Sequence, residues 1–404
     1  VEAAAFIASL LALLAGVALG KAWERYKLRD GKWIDRRRAR ESHHYVLGLN
    51  FLVANQLDIA IEELSQAARV DADALEIHLI LGNVYRERGQ VARAIQVHQA
   101  LLQRPKLSRI EHAYVLLCLG LDFKRGGFVD RALEAFTEVL RLDPDNQYAL
   151  LYLQKLHEEQ QQWEEAYAIR QQLVALTGPD TKARSESILA FLENARGEEA
   201  VRQGAPDRAL RHFDAAVQLD PGTAPAYLNL GDVLWARGDR AGAIDAWERL
   251  VAVSPERAYL AFERLERGYA ALGTPRRFEE RCRQLIDAHP LDWRARLALA
   301  RHLASRGDAP QAFELLLQAL AHNPHGLTVH QEIWNTILSL GPSAAIVRRY
   351  IDAAREAVFF LDPHVCVRCH YRATELLWRC PHCHEWNTFV EERIDPGTGE
   401  AMRS

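Results

Sequence analysis

"LLCLGLDFKRGGFVDRALEAFTEVLRLDP", residues 116–144, carries a pattern that recurs along the whole chain. Leu119 and Gly120 are followed by Phe123, Gly127, Ala132, Phe136 and Pro144. The same classes of residue return at the same offsets in "YLNLGDVLWARGDRAGAIDAWERLVAVSP", residues 227–255, as Leu230, Gly231, Leu234, Gly238, Ala243, Trp247 and Pro255. Small residues let two helices approach closely, large ones fill the space between them, and proline stops the second helix. The positions equivalent to Gly231 are Gly48, Gly82, Gly120, Gln154, Gly197, Glu266, Ala300 and Trp334. Their successive spacings are 34, 38, 34, 43, 34, 35, 34 and 34, so five of the eight equal one period and the pattern is an array.

A period of 34 residues, each a helix-turn-helix, defines a tetratricopeptide array. The expected fold is therefore all-α, an α-solenoid superhelix of about nine repeats over residues 41–362. An insertion of nine residues falls around "TGPDTKARS", 177–185, where Gly, Pro and Asp break the pattern, and a hinge between two blocks of repeats is expected there. The last unit (Gly341, Ile346, Tyr350, Ala353) is degenerate, as a capping repeat should be. Such a stack presents a concave face that holds a peptide or protein partner. No Walker loop, HExxH, GxSxG or Rossmann glycine fingerprint is in the sequence, so no catalytic residue and no enzymatic activity are expected. Cys118 and Cys282 fall at positions facing the repeat core, Cys282 where Phe136 and Trp247 stand in other units, and are read as inert buried thiols.

The ends differ from the array. Residues 3–20, "AAAFIASLLALLAGVALG", carry no charge and as a helix would span roughly 27 Å, enough for a bilayer core. Residues 1–20 are thus expected to hold a transmembrane helix, and 21–40 a basic juxtamembrane segment. Residues 1–40 hold nine Lys or Arg against four acids, whereas the full chain has a net charge of -4. Basic residues beside a span are retained on the cytoplasmic side, which places the body there. A cleaved signal peptide is the competing reading, but the residues before the apolar run include Glu2 and no Lys or Arg. Trp23, with Tyr26 and Trp33, interleaves with Arg25, Lys27, Arg36, Arg37 and Arg38, a surface suited to headgroups or a membrane partner. The confined basic region argues against nucleic acid as a partner. The chain begins at Val1 and its single Met is Met402, so an initiator is expected upstream.

At the other end, "CVRCHYRATELLWRCPHCHEW", 366–386, sets Cys366-x2-Cys369 ten residues before Cys380-x2-Cys383. Two CxxC knuckles complete a tetrahedron around one ion and leave no position for water, so a structural or electron-carrying site is expected over residues 363–390. Zinc and iron both suit four thiolates. Tyr371, Leu377, Trp378, Trp386 and Phe389 are expected to form the core of this small lobe, which needs its metal to fold. His370, His382 and His384 are read as neighbours of the ligands. The remainder, 391–404, reads as a polar, disordered tail.

The order of these elements resembles the lipopolysaccharide assembly protein B (LapB) family of Gram-negative bacteria over the whole chain. The resemblance implies a rubredoxin-type lobe packed against the repeats, with Cys366, Cys369, Cys380 and Cys383 as ligands and iron as the occupant. Rubredoxin knuckles usually carry Gly after the second cysteine, where this chain has His370 and His384. It further implies an inner-membrane adaptor that regulates lipopolysaccharide biosynthesis. The family brings the lipid A-committing deacetylase (LpxC) to the membrane AAA+ protease (FtsH) for proteolysis, under restraint by an inner-membrane protein with a periplasmic domain. Carried onto this chain, residues 3–40 would meet the protease and the restraining protein, and the array and lobe would hold LpxC or lipopolysaccharide assembly enzymes. The lobe is then expected to stiffen the free end of the stack. A general membrane scaffold without a role in proteolysis, a redox protein and a zinc-ribbon nucleic-acid module are the other readings. Whether the chain forms a homo-oligomer is left open by the residues.

Overall fold

The computed structural model describes residues 43–105, 107–176, 178–354, 357, 364–394 and 401–403. The expected span at 3–20 and the segment bearing Trp23, Arg25, Lys27, Arg36, Arg37 and Arg38 lie outside the described residues, as do 395–400 and 404 of the tail. Among the described residues no helix is long and apolar enough to cross a membrane.

The chain divides into two compact units, Val1–Gln160 and Gln161–Ser404. Described in the first are α1 (His43–Val53), α2 (Leu57–Val70), α3 (Leu75–Glu87), α4 (Val91–Leu102), α5 (Arg109–Arg125), α6 (Val129–Leu142) and α7 (Gln147–Glu159). The second begins with α8 (Trp163–Ala175), α9 (Pro179–Arg202), α10 (Pro206–Leu219), α11 (Ala224–Ala236) and α12 (Arg240–Val253). A 3-10 helix (Pro255–Ala261) leads into α13 (Phe262–Ala271) and α14 (Arg276–Ala288), followed by α15 (Trp293–Ser305), α16 (Ala309–His322), α17 (Leu327–Leu340) and α18 (Ala344–Ala353).

The period of the sequence is a packing rule. In helix pairs of both units, a small residue of the first helix lies against the side chain 16 positions later in the second. A methyl group placed on Gly48 would lie 2.7 Å from Leu64, and one on Gly120 2.6 Å from Phe136. Gly197 and Gly231 meet Phe213 and Trp247 in the same way. Phe136, Phe213 and Trp247 are fully buried, so the glycine is the space the ring occupies. The turns between paired helices use a different property of glycine: Gly127 and Gly238 take φ of 77° and 87°, the left-handed region.

One pair departs from apolar filling. His98 sits under Gly82 with Nδ1 2.5 Å from Asp122 Oδ2, and Arg86 Nη1 donates to Asp122 Oδ1 at 2.8 Å. His98 and Asp122 are fully buried, and the three side chains tie α3, α4 and α5 together. A buried carboxylate held by two partners is costly to orphan, by about 3–5 kcal/mol.

The stretch read as a hinge is organised differently. Gly178 is the N-cap of α9 and Pro179 occupies its first turn, so the insertion extends that helix to 24 residues. Proline at a helix start replaces an N–H that has no intrahelical acceptor, which is why the Gly-Pro pair opens a helix here. The division between compact units falls earlier, after Gln160.

After α18 the chain forms a small sheet with strand order β2-β1-β3-β4, from β1 (His364–Cys366), β2 (Arg372–Ala373), β3 (Phe389–Ile394) and β4 (Ala401–Arg403). All three pairings are antiparallel. The expected boundary at residue 390 is therefore too early: β3 continues to Ile394, and part of the expected tail, Ala401–Arg403, pairs with it.

Gly120→Val is expected to destabilise the first unit by about 1–3 kcal/mol through overpacking. The cost should fall in a Phe136→Ala background, where the ring is gone. Urea denaturation of the single and double variants measures this coupling, and equal costs in the two backgrounds would refute the packing rule.

Candidate metal centre and its docking face

The sheet and two turns place the four thiols. Cys366 ends β1 and Cys380 lies beside an isolated bridge between Arg379 and Trp386. The knuckles are built alike. Cys366 N–H donates to the Tyr371 carbonyl and Cys380 N–H to that of Glu385, each at 2.9 Å. His370 and His384 N–H return to the carbonyls of Cys366 and Cys380, also at 2.9 Å. The two histidines take φ of 60° and 59°. The left-handed turn that glycine eases is thus made by histidine, at a cost of roughly 1–2 kcal/mol per position.

All four sulfurs lie within 4.8 Å of one another, with Cys366 and Cys383 3.8 Å apart and Cys369 and Cys380 3.6 Å apart. Metal-sulfur bonds of about 2.3 Å at tetrahedral angles put sulfurs about 3.8 Å apart. The donor set therefore fits one tetrahedral ion. Its charge fits as well. Burial pushes the Cys366 thiol up, but hydrogen bonds from the Thr388 hydroxyl and the Arg368 and Cys369 N–H groups outweigh it and hold the thiol at about 6. Burial, with the neighbouring sulfurs, pushes Cys383 up to about 12. The first thiolate forms readily and later ones against it, a repulsion that a central cation removes. Bound there, such an ion would supply cross-linking, and four filled positions would leave no site for water.

The expected lobe core needs correction. Cys366, Cys380 and Phe389 form its buried cluster, with Leu376 and Leu377 packed on them, and Val365 and Thr388 are buried as well. Tyr371 meets Phe389 edge-on but is itself exposed, and it stacks on His382. Trp378 and Trp386 face the repeats instead: their rings lie 6.2 and 5.5 Å from that of Phe191 on α9. The two flank the second knuckle and are held side by side by the Arg379–Trp386 bridge and an Asn387 N–H bond to the Trp378 carbonyl at 2.6 Å. A ring at the end of so short a hairpin has more apolar surface available on the helices than inside the lobe.

Polar contacts frame the rings. Arg257 lies 5.4 Å over Trp378 and donates to Asn387 Oδ1 at 2.9 Å. Arg184 pairs with Glu385 at 3.2 Å, and Arg294 pairs with Glu391. Arg294 also stacks 4.3 Å over Tyr259, whose hydroxyl pKa is raised by burial. Phe191 precedes Gly197 by six residues and Arg294 precedes Ala300 by six, so both belong to the face made by the first helix of each pair. The lobe is thus folded back along that face and does not extend the free end of the stack. Nothing in the sequence marked Phe191, Arg184, Arg257 or Arg294 except this register.

Cys118 and Cys282 are buried inside the repeats, and burial pushes Cys118 up to about 11 and raises Cys282 further. With metal bound, no thiol should react rapidly with a disulfide reagent at pH 8. Chelation should release the four lobe thiols, and unfolding all six. Fast labelling of Cys118 or Cys282 in the folded chain would contradict their placement.

Comparison with known proteins agrees with this division. The Rubredoxin metal binding domain family matches residues 364–391, and Tetratricopeptide repeat families match 45–107, 128–185, 194–261 and 267–326. Lipopolysaccharide assembly protein B of Escherichia coli (strain K12) is 27% identical over 383 residues, covering 94% of this chain and 97% of the relative. The protein of that name from Haemophilus influenzae is 25% identical over 395 residues, with the same coverage. Among solved structures, the C-terminal part of a repeat-containing protein from Cytophaga hutchinsonii is 12% identical, covering 71% of this chain and 98% of that one, with a TM-score of 0.42. The array, the closing four-cysteine lobe and the alignment with these relatives over 94% of the chain agree, and the chain belongs to the lipopolysaccharide assembly protein B family.

Proposed function

We propose that this chain is a membrane-anchored, non-enzymatic adaptor that limits lipopolysaccharide synthesis by presenting LpxC to FtsH for degradation. The observation that carries the reading is the end-to-end alignment with lipopolysaccharide assembly protein B relatives, on a chain whose repeats and lobe offer binding faces. In this reading residues 3–20 span the inner membrane and the body is cytoplasmic. Trp23, Arg25, Lys27, Arg36, Arg37 and Arg38 meet headgroups, the protease and its restraining inner-membrane partner. A common tether makes physical sense, because it raises the effective concentration of a soluble client beside a membrane protease to about the millimolar range. Cys366, Cys369, Cys380 and Cys383 hold one ion, iron by family resemblance or zinc by chemistry. The ion serves structure, since the sulfurs complete its coordination. Nucleic acid is no partner.

A second reading is a scaffold that gathers lipopolysaccharide assembly enzymes without a role in proteolysis. The name of the relatives, which speaks of assembly, favours it. The half-life of LpxC separates the two. On depletion of this protein the half-life should lengthen severalfold, and inactivating the protease should remove the difference; an unchanged half-life leaves the scaffold reading. Under the adaptor reading, Cys380→Ser should lose the ion and the regulation while the far-UV helical signal stays near that of the parent chain, and retained regulation without metal would count against a structural need for the site.

A further inference from the structure

The lobe touches the repeats in a way that resembles a bound ligand. Among the described residues its contacts there come from the second knuckle and the strand after it: Trp378 and Trp386 on Phe191, Glu385 and Glu391 on Arg184 and Arg294, and Asn387 on Arg257. On the repeat side the contacts are one aromatic ring, Phe191, and three arginines. Phe191 is only 2% exposed under the lobe. The two indoles cover that ring on the first-helix face, the face such arrays use for partners.

We propose that the face formed by Arg184, Phe191, Arg257 and Arg294 is a recognition site for an acidic, tryptophan-bearing segment of a partner protein, and that the chain's own four-cysteine lobe occupies it as a releasable plug. The lobe's residues show what the site reads: an indole for the Phe191 ring, carboxylates for Arg184 and Arg294, and an amide oxygen for Arg257. The framing ion pairs are partly exposed, and such pairs hold weakly. Tethering makes the plug effective, because an occupant on the same chain competes at a high effective concentration. The ion couples to release through the knuckle, because Cys380 and Cys383 lie between the two tryptophans that make the contact. A partner therefore binds better when the lobe is undocked or has lost its ion. This rests on the docking geometry and is independent of which lipopolysaccharide protein the chain serves.

The test uses the full chain and a labelled peptide copying residues 384–392, HEWNTFVEE, which holds Trp386, Glu385 and Glu391 but no cysteine. Hydrogen exchange along α9 reports undocking, and anisotropy reports binding. In Trp378→Ala/Trp386→Ala, exchange around Phe191 should rise and the peptide should bind about tenfold tighter than to the parent, as expected if the plug fills the site ~90% of the time. Adding Arg257→Glu should remove that gain. Chelation of the parent chain, which needs no mutation, should act in the same direction, with metal content measured alongside. Equal peptide binding by docked and undocked chains overturns the proposal, as does unchanged exchange along α9 when both tryptophans are gone.

Discussion

A ring of Phe136 fills the space that a methyl group on Gly120 would need, and the rest of the array follows from that contact. Because the small residue and its filler stand 16 positions apart in one helix pair, each repeat fixes the distance between its own two helices. Within each unit, neighbouring pairs can then stack at a regular spacing, and the stack makes a continuous face from its first helices. The filler can vary as long as the volume is kept. Leu64, Phe136, Phe213 and Trp247 all serve, and His98 serves because Asp122, itself held by Arg86, and the Leu79 carbonyl satisfy its ring. A buried polar filler costs desolvation, which the His98–Asp122–Arg86 chain offsets by linking three helices at once.

The lobe obeys a different constraint. Its buried apolar side chains are those of two cysteines, one valine and one phenylalanine, too little apolar surface for so small a fold to stand alone. Two things compensate. Four sulfurs arranged for a tetrahedral ion cross-link its turns, and two tryptophans borrow apolar surface from α9. The left-handed histidines belong to the same economy of space: the N–H of residue 370 or 384 closes each knuckle, whatever the side chain. Histidine after the second cysteine is therefore compatible with the geometry that glycine makes easily.

Periodicity made the array legible in the sequence, and the spacing of the cysteines did the same for the metal lobe. Gly48 through Trp334 locate the helix pairs because a repeat's packing depends on residues a fixed distance apart. The destination of Trp378 and Trp386 was not legible, because an indole near a knuckle serves a lobe core or an interface equally well in one dimension. Only the register of Phe191, six before Gly197, places that ring on the shared face. The stretch at 177–185 misled for a simpler reason. Gly-Pro interrupts a helix when it falls inside one and begins a helix when it falls at the N-terminus, and α9 starts at Pro179.

The same register shows how one face can be used in two ways. In the first unit Tyr114 stands six residues before Gly120 and Tyr148 six before Gln154, the positions that correspond to Phe191. They are 52% and 67% exposed, whereas Phe191 is 2% exposed. An aromatic ring in this position is therefore not needed for the packing of the repeat, since two of the three leave it largely in water. Against Phe191 lie two rings of the lobe, Trp378 and Trp386. The array supplies a face whose geometry is set by its internal spacing, and the four-cysteine lobe decides how much of that face the second unit presents.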